Sequence, residues 1–406
     1  MRVIRIGLEP LPERYTEQWQ QWFPSVFGRL EAIYNEIPGE TLTSKVEQGK
    51  VLDASGTMFY KFSQMQRIAE LFKRNEIQNG DTFFVDDIQF PGIWAIRYMA
   101  ELYNKKVYIF GFLHASSYTT EDFAEPMTPF MKSVERSWLF TYDRIFVATE
   151  YHKKLFIHKR FPHSYKAAAE DRIKVTGAPW NVWSAQQLAY RSKLYKEGEK
   201  KQQIIFPNRF DIEKRPNVFL MIVDYIYNHL QIKNIDFLII TSRDNLTSDS
   251  NLEDMLYRTM NIVPALKVKT KATKEEYYVE LASSKLMVST TIEESFGYCA
   301  VEALSLNTRV LLPEGYSHYE LTHDLPEHER ITALYSIRWD DYKENFTLPS
   351  ESKTIDSNII TVSSKALHAV NMIDKFDLHE TVLKYNDSIE NMYKIMETYV
   401  ERKQHA

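Results

Sequence analysis

Cysteine is nearly absent from this sequence of 406 residues, which contains only Cys299. A single cysteine excludes an internal disulfide and is typical of proteins in a reducing compartment. No run of 18 apolar residues occurs, and the opening residues, MRVIRIGLEPLPERY, lack the apolar stretch of a secretory signal. These absences predict a cytoplasmic protein without a membrane span.

Several catalytic motifs are also missing. The sequence has no Walker phosphate loop, no C-x-x-C pair and no G-x-S-x-G turn, which argues against a P-loop enzyme, a thiol redox protein and an α/β-hydrolase. Asp86-Asp87 and Asp340-Asp341 are acidic pairs, but no D-x-D triplet follows a predicted strand. We therefore expect no catalytic metal and no other cofactor.

The pattern that is present alternates short apolar runs with amphipathic stretches, which is typical of a parallel α/β sheet. Two series of such runs occur. The predicted strands of the first series are 2–8, 82–87, 106–113, 144–150 and 172–177, and those of the second are 203–209, 237–242, 265–270, 286–291 and 308–313. The helices predicted between and after them are 58–75, 92–104, 215–230, 273–284, 297–306 and 376–403.

Two similar series predict two domains. Residues 185–203 are polar and charged, so they are predicted to be an interdomain linker between domains at 1–184 and 204–375. Residues 376–406 are predicted to be a C-terminal helix that packs back on the first domain. The expected fold class is α/β, with two Rossmann-like domains facing a central cleft, because ligands of parallel sheets bind outside the carboxyl ends of the strands. The sequence leaves the oligomeric state open.

The segment from Thr290 to Leu304, TTIEESFGYCAVEAL, has the strongest chemical signal. A predicted strand ends there, two glutamates and a glycine turn follow, and an apolar helix begins. The carboxylates of Glu294 and Glu302 can accept hydrogen bonds from vicinal hydroxyls, as sugars and riboses present them. The amides of Phe296, Gly297 and Tyr298 stand at a helix N-terminus, where a diphosphate would be stabilised. The alternative makes Glu294 a helix cap and Glu302 a surface residue.

This stretch resembles the E-x7-E signature of retaining GT-B glycosyltransferases of family four, matching Glu294-Ser295-Phe296-Gly297 and Glu302-Ala303. In FPNRFDIEKRP (206–216), Arg209 and Lys214 have the R-x4-K spacing that this family uses against the diphosphate leaving group. The resemblance implies the GT-B fold, a nucleotide-sugar donor and retention of anomeric configuration. It assigns the donor sugar hydroxyls to Glu294 and the ribose to Glu302.

Weaker features extend the resemblance. His114 follows a predicted strand of the first domain, where the family often has a histidine near the donor sugar, and the loop at Lys271 falls where the family's backbone reads the nucleobase. The family's first strand is usually followed by a glycine-rich loop, whereas this sequence has Leu8-Glu9-Pro10-Leu11-Pro12-Glu13-Arg14. The catalytic residues expected from the resemblance are thus Arg209, Lys214, Glu294 and His114.

The acceptor has three alternatives. Residues 151–180 carry seven Lys and Arg against two Asp and Glu, and aromatic residues interleave with these cations at Tyr151, Phe156, Phe161 and Tyr165. The basic stretch 152–174 is thus a candidate surface for nucleic acid, for an anionic membrane or lipid carrier, or only for solvent. The residues predicted to contact the acceptor are Arg14, Tyr15, Lys153 and Lys154.

The low glycine content and the many Tyr and Lys residues also resemble bacteriophage glycosyltransferases that modify hydroxymethylated pyrimidines in duplex DNA. A phage protein would act in the host cytoplasm, and a target base would have to be flipped out of the duplex. The second alternative is a surface polysaccharide or lipid-linked glycan, and the third is a small-molecule acceptor. A GT-B sugar-nucleotide epimerase, with His114, Glu9 or Asp87 as acid or base, and a non-catalytic nucleotide-sugar binder are the alternative functions.

Overall fold

The structure of the protein is a computed structural model that describes residues 1–11, 15–41, 56–122, 124–196, 200–372 and 377–405. They form two compact units. The first unit contains Met1–Trp180 and Asp387–Ala406, and the second contains Asn181–Asn386. In the described part of the chain, no helix is long and apolar enough to cross a membrane.

The first unit contains a parallel sheet of six strands. They are β1 (Arg2–Ile6), β2 (Ile33–Glu36), β3 (Thr82–Val85), β4 (Tyr108–Phe112), β5 (Arg144–Val147) and β6 (Ile173–Val175), in the order β2-β1-β3-β4-β5-β6. The helices that accompany them are α1 (Tyr15–Arg29), α2 (Thr57–Lys73), α3 (Trp94–Leu102), α4 (Thr128–Thr141), α5 (Glu150–Arg160) and α6 (His163–Arg172).

The core of the first unit forms on both faces of this sheet, which is why its central strands are continuous apolar runs. Every residue of β3 and β4 is buried. Helix α1 buries Trp19, Trp22 and Phe23 against the sheet side, at the i, i+3, i+4 spacing of one helix face. That spacing therefore marks a packed helix face.

The second unit repeats this architecture. Its strands are β7 (Lys201–Phe206), β8 (Asp236–Ile240), β9 (Leu266–Lys269), β10 (Ser284–Val288), β11 (Arg309–Pro313) and β12 (Leu334–Tyr335), all parallel, in the order β12-β11-β10-β7-β8-β9. Its helices are α7 (Val182–Tyr190), α8 (Pro216–Asp224), α9 (Ser250–Ile262), α10 (Lys274–Ser283), α11 (Tyr298–Ser305), α12 (Tyr316–Thr322), α13 (Glu327–Ala333) and α14 (Ser357–Asn371).

The last helix, α15 (Ser388–His405), belongs to the first unit, although the second unit separates it from the rest in sequence. Its Tyr393 ring lies 5.8 Å from that of Phe27 on α1, and its Tyr399 ring contacts Tyr108 and Phe110 of β4. The first unit is thus built from two separate segments of the chain.

All ten predicted strands are present, and β2 and β12 are additional. The unit boundaries differ from the predicted domain boundaries, because the chain divides at Trp180 rather than at 184 and the segment 185–203 contains ordered elements. Helix α7 lies in the second unit, where Gln186 and Tyr190 donate hydrogen bonds to the carbonyls of Ser305 and Leu306. Strand β7 also begins inside the segment predicted to be a linker.

Candidate functional site

The carboxyl edge of the second sheet brings the two sequence motifs together. Strands β7 and β10 are neighbours in the sheet, and their carboxyl ends meet at one edge because the strands are parallel. The loop after β7 carries Arg209 and Lys214, and the loop after β10 carries Glu294. Lys214 Nζ lies 2.8 Å from Glu294 Oε2, although 80 positions separate the residues in sequence. The pair joins the R-x4-K and E-x7-E segments directly.

Both members of this pair keep their charge at neutral pH. Burial acts to raise the pKa of Glu294, but the charge of Lys214 and its hydrogen bond outweigh burial, so the pKa lies below its ordinary value. Burial acts to lower the pKa of Lys214, but Glu294 raises it above its ordinary value. The side chains remain 13% and 21% exposed, which leaves them accessible to a ligand.

The Lys214 loop is held by its neighbour Arg215. This residue has left-handed backbone angles, φ 48° and ψ 51°, and its buried guanidinium donates to the carbonyls of Ile212 and Trp339 at 2.6 and 2.9 Å. The Thr290 hydroxyl, at the end of β10, lies 2.8 Å from the carbonyl oxygens of both Lys214 and Arg215. These bonds fix the loop after β7 and the loop after β10 against each other.

Arg209 is the more exposed cation, with 43% of its side chain accessible. Its guanidinium is 2.7 Å from Glu213 and 3.6 Å from Asp211. Asp211 also accepts a hydrogen bond at 2.9 Å from Arg243, in the loop after β8. Arg243 was not predicted, because it has no motif of its own and reaches the site only through strand order.

Gly297 forms the turn between Glu294 and α11. Its φ is +87°, and a Cβ there would come within 3.2 Å of Leu321 Cδ1 and 3.3 Å of Glu294 Cγ. A side chain at this position would thus displace the carboxylate. Phe296 is buried and stacks edge to face on Tyr298 and Tyr385, so its ring is a packing element and only its backbone is available to a ligand. Helix α11 begins at Tyr298.

Glu302 lies in α11 and is 5% exposed. The alternative that made it a surface residue is therefore wrong. Its Oε1 accepts from Lys274 Nζ at 2.6 Å and from the Tyr278 hydroxyl at 3.3 Å, and its Oε2 accepts from the Tyr277 hydroxyl at 2.7 Å. These three donors from α10 were not predicted.

His318 lies on α12, next to the Glu294 turn. Its Nδ1 is 3.1 Å from the carbonyl oxygen of Pro313, which can only accept, so Nδ1 carries the proton. Burial lowers the pKa of His318 to about 4, so the imidazole is neutral at pH 7. His318 follows the end of β11, which lies next to β10 in the sheet. A polar residue soon after a predicted parallel strand was the sequence feature that could have indicated it.

Lys271 lies in the loop after β9, with φ +53°. Its exposed ammonium is 3.5 Å from Asp244, and its backbone N–H donates to the carbonyl of Arg243 at 3.0 Å. This amide is therefore already used within the protein, and the predicted nucleobase contact would have to come from other groups of the loop.

In the first unit, His114 follows β4 and contacts Tyr15. Its Nε2 donates to the carbonyl of Asp86 at 2.9 Å, and its Nδ1 lies 3.4 Å from the Tyr15 hydroxyl. Burial lowers the pKa of His114, so the ring is neutral at pH 7. The neighbouring Asp87 forms a 2.8 Å ion pair with Lys61, which was not predicted.

The other residues predicted to contact the acceptor are Arg14, Lys153 and Lys154. Arg14 lies outside the described residues. Lys153 pairs with Glu170 at 2.9 Å, whereas Lys154 is exposed. The expectation that aromatic rings interleave with these cations at the surface is wrong for Phe156 and Phe161, because both rings are buried in the core of the first unit.

Other members of the basic stretch are also occupied. Arg160 forms a buried ion pair with Glu135, which accepts further hydrogen bonds from Ser116 and Ser117.

The side chains described by the structure contain no group of three or more His, Cys, Asp or Glu placed to hold a metal ion. Asp86 pairs with Arg5 at 2.5 Å, so it serves the first unit as a buried counter-ion.

No protein-family model and no curated protein match the sequence. Solved structures do match it. A sucrose-phosphate synthase from Thermosynechococcus elongatus is 12% identical, with a TM-score of 0.63 over 99% of this chain and 100% of that chain. An α,α-trehalose 6-phosphate synthase from Burkholderia multivorans is 10% identical, with a TM-score of 0.64 over 99% of both chains.

A chain of the GtfA/B complex is 13% identical, with a TM-score of 0.53; the match covers 84% of this chain but only 61% of that chain. At these identities the likeness concerns the fold. The fold is GT-B, with two Rossmann-like units, as the sequence predicted.

Proposed function

We propose that the protein is a retaining glycosyltransferase that moves a sugar from a nucleoside diphosphate-sugar, a UDP-sugar in the first instance, to an acceptor hydroxyl. The observation that carries this proposal is the 2.8 Å contact between Lys214 and Glu294. It joins a cation suited to a phosphate and a carboxylate suited to sugar hydroxyls, at the edge of a parallel sheet where ligands bind. The GT-B fold shared with known sugar transferases supports it.

The cations would act on the leaving group. Negative charge on the diphosphate grows as the bond to the sugar breaks, so Arg209 and Lys214 stabilise the transition state more than the bound donor. Lys214 has three N–H donors, of which Glu294 takes one at 2.8 Å and Thr291 a weaker one at 3.4 Å. A phosphate oxygen can therefore join Lys214 without breaking its pair with Glu294.

Retention follows from attack on the same face from which the diphosphate leaves. The bond between the sugar C1 and the phosphate oxygen breaks, the bond from C1 to the acceptor oxygen forms, and the acceptor proton passes to the departing phosphate oxygen. No enzymic nucleophile is needed. Cys299 is unsuited to that role, because burial raises the pKa of its thiol to about 12.

For the acceptor, the surface of the first unit supports a lipid-linked glycan at an anionic bilayer. The side chains of Phe130, Val134 and Phe140 on α4 are 43–64% exposed, and the ring of Tyr165 on α6 contacts Phe140. Exposed cations accompany these apolar residues, as in proteins that lie on a membrane surface. They are Lys132, Arg136, Lys154 and Lys159.

Duplex DNA remains the competing acceptor, and one assay distinguishes the two. Nucleotide release from UDP-, GDP- and ADP-sugars is measured with polyprenyl-linked glycan in anionic vesicles, and with duplex DNA containing hydroxymethylcytosine. We expect release to rise with the vesicles and to disappear in Glu294→Ala. Stimulation by the DNA alone would reject the lipid acceptor but retain the transferase. No release and no binding with any donor would reject the proposed function.

A sugar-nucleotide epimerase has less support from the first unit. Asp87 is one of the three acid–base candidates, with His114 and Glu9. Lys61 is 2.8 Å away and holds the pKa of Asp87 below its ordinary value against the effect of burial, which acts to raise it, so Asp87 is a poor proton donor. Acceptor-free incubation separates the functions: an epimerase changes the sugar, a binder changes nothing, and a transferase releases free nucleotide slowly.

A further inference from the structure

The surroundings of Glu302 limit how this carboxylate can hold a ligand. A carboxylate has two oxygens with about four lone-pair positions in all, and it grips a vicinal diol by accepting one hydroxyl on each oxygen. Oε1 already accepts from Lys274 at 2.6 Å and from Tyr278 at 3.3 Å. Among the residues that the structure describes, Oε2 accepts a hydrogen bond only from Tyr277, at 2.7 Å. One acceptor position therefore remains, and it is on Oε2.

The donors on Oε1 are held firmly in place. Tyr278 is fully buried, and the Lys274 ammonium lies over the rings of both tyrosines, 4.7 Å from the centroid of Tyr278 and 5.0 Å from that of Tyr277. Lys274 is the first residue of α10, whose start is fixed by a capping box between Thr273 and Glu276. A ligand cannot easily displace these donors from Oε1.

We propose that Glu302 binds only one of the two ribose hydroxyls of the donor nucleotide, through Oε2. The site therefore accepts a nucleoside diphosphate carrier whose pentose lacks the other hydroxyl, so deoxynucleotides belong to its ligand class. This inference rests on the proposed function, because it takes the pentose of the donor as the ligand of Glu302.

The test measures the binding of UDP, 2′-deoxy-UDP and 3′-deoxy-UDP to the full chain by isothermal titration calorimetry. We expect one analogue to bind within about threefold of UDP and the other at least about tenfold more weakly, because the second analogue lacks the hydroxyl that donates a hydrogen bond to the charged carboxylate. Weakening of both analogues by about tenfold or more would overturn the inference, and so would equal binding of all three.

Tyr278→Phe provides a second test. Removing this hydroxyl opens a position on Oε1, so the diol can be gripped by both oxygens. The analogue that wild type tolerates should then bind at least about fivefold more weakly than UDP. Tyr257→Phe, on the exposed face of α9, is the control and should keep the wild-type ratio. An unchanged ratio in Tyr278→Phe would contradict the role of Oε1.

Nucleotide binding distinguishes failure of the proposed function from failure of the inference about Glu302. If UDP, GDP and ADP all fail to bind the folded protein, the proposed function itself is rejected and this inference with it. If UDP binds and removal of either ribose hydroxyl weakens binding by about tenfold or more, only the inference about Glu302 is rejected.

Discussion

The two units place charge differently at the carboxyl edges of their sheets. In the first unit, Arg5 pairs with Asp86 with both side chains fully buried, and Lys61 pairs with Asp87 at 4% and 10% exposure. In the second unit, Lys214 and Glu294 stay partly exposed and Arg209 is 43% exposed. The two units share one architecture. The first unit buries these ion pairs in its interior, whereas the second unit leaves its charged side chains partly exposed, where an anionic ligand could reach them.

This difference supports a division of labour. The accessible cations of the second unit suit a diphosphate, whereas the first unit presents the neutral imidazole of His114 and the hydroxyl of Tyr15. Both groups can form hydrogen bonds with the hydroxyl acceptor that we propose. The following experiments test this difference between the two units, in order of decreasing effect.

The largest expected effect is on stability, in the first unit. Lys61→Met leaves the buried Asp87 without its counter-ion, and removing one partner of a buried ion pair costs about 3–5 kcal/mol of unfolding free energy. UDP affinity should not change. Arg67→Met, at an exposed pair with Glu40, is the control and should cost less than about 1 kcal/mol. Denaturant titration measures stability and calorimetry measures UDP binding. Loss of UDP binding in a Lys61→Met protein of wild-type stability would contradict a purely structural role of Lys61.

The next effect is on turnover, in the second unit. Lys214→Ala should lower kcat at least about 100-fold, or about 2.7 kcal/mol of transition-state stabilisation, with a smaller effect on donor affinity. Lys267→Ala removes an exposed lysine of β9 and should retain wild-type turnover. Steady-state nucleotide release is the measurement, and near-normal kcat in Lys214→Ala would contradict the role of this cation.

The pH dependence of stability should be similar in both units. Burial lowers the pKa of His318 to about 4 and that of His152 to about 3, whereas an unfolded histidine titrates near 6.5. Between these values the unfolded chain binds more protons, so stability falls as the pH falls below about 6.5, by up to about 1.4 kcal/mol per pH unit for each histidine. His318→Gln should flatten this slope, as measured by denaturant titration from pH 7 to 5. An unchanged slope would show that His318 does not titrate this way.

The smallest effects come from one glycine in each unit. Gly297→Ala forces a side chain into φ +87° and against Glu294, which should cost about 1–2 kcal/mol and weaken donor binding. Gly28→Ala, in α1 with no atom within 4 Å of the added Cβ, should stabilise by about 0.5–1 kcal/mol. Thermal unfolding compares the two variants with wild type. Shifts of the melting temperature that are equal and of the same sign would contradict the different roles given to the two glycines.

Much of the fold was predictable because strands buried on both faces are continuous apolar runs. Strand β2 was missed because its four residues, Ile33–Glu36, are half exposed and include Asn and Glu. Strand β12 has two residues, too few for any periodicity. The segment 185–203 is polar because α7 buries only one side, through Val182, Ala185 and Ala189, and exposes the other.

The candidate site was predictable where local motifs carry it. Arg209, Lys214 and Glu294 could be singled out because they occupy fixed positions of the R-x4-K and E-x7-E motifs. Their role in binding the nucleotide-sugar donor stays a prediction. Lys274, Arg243 and His318 have no such motif, since each reaches the site through the order of the strands. Phe156 in α5 and Phe161, directly after it, were misinterpreted because composition does not reveal which side chains of a segment are buried.

The two α/β series and the residues of the two motifs could be identified from the sequence alone, because apolar periodicity and motif spacing are local properties. The contact between Lys214 and Glu294 and the donors that occupy the oxygens of Glu302 became known only from the tertiary structure. The physical reason is that strand order and burial depend on contacts between distant residues. Those contacts set which charges are paired and which remain available.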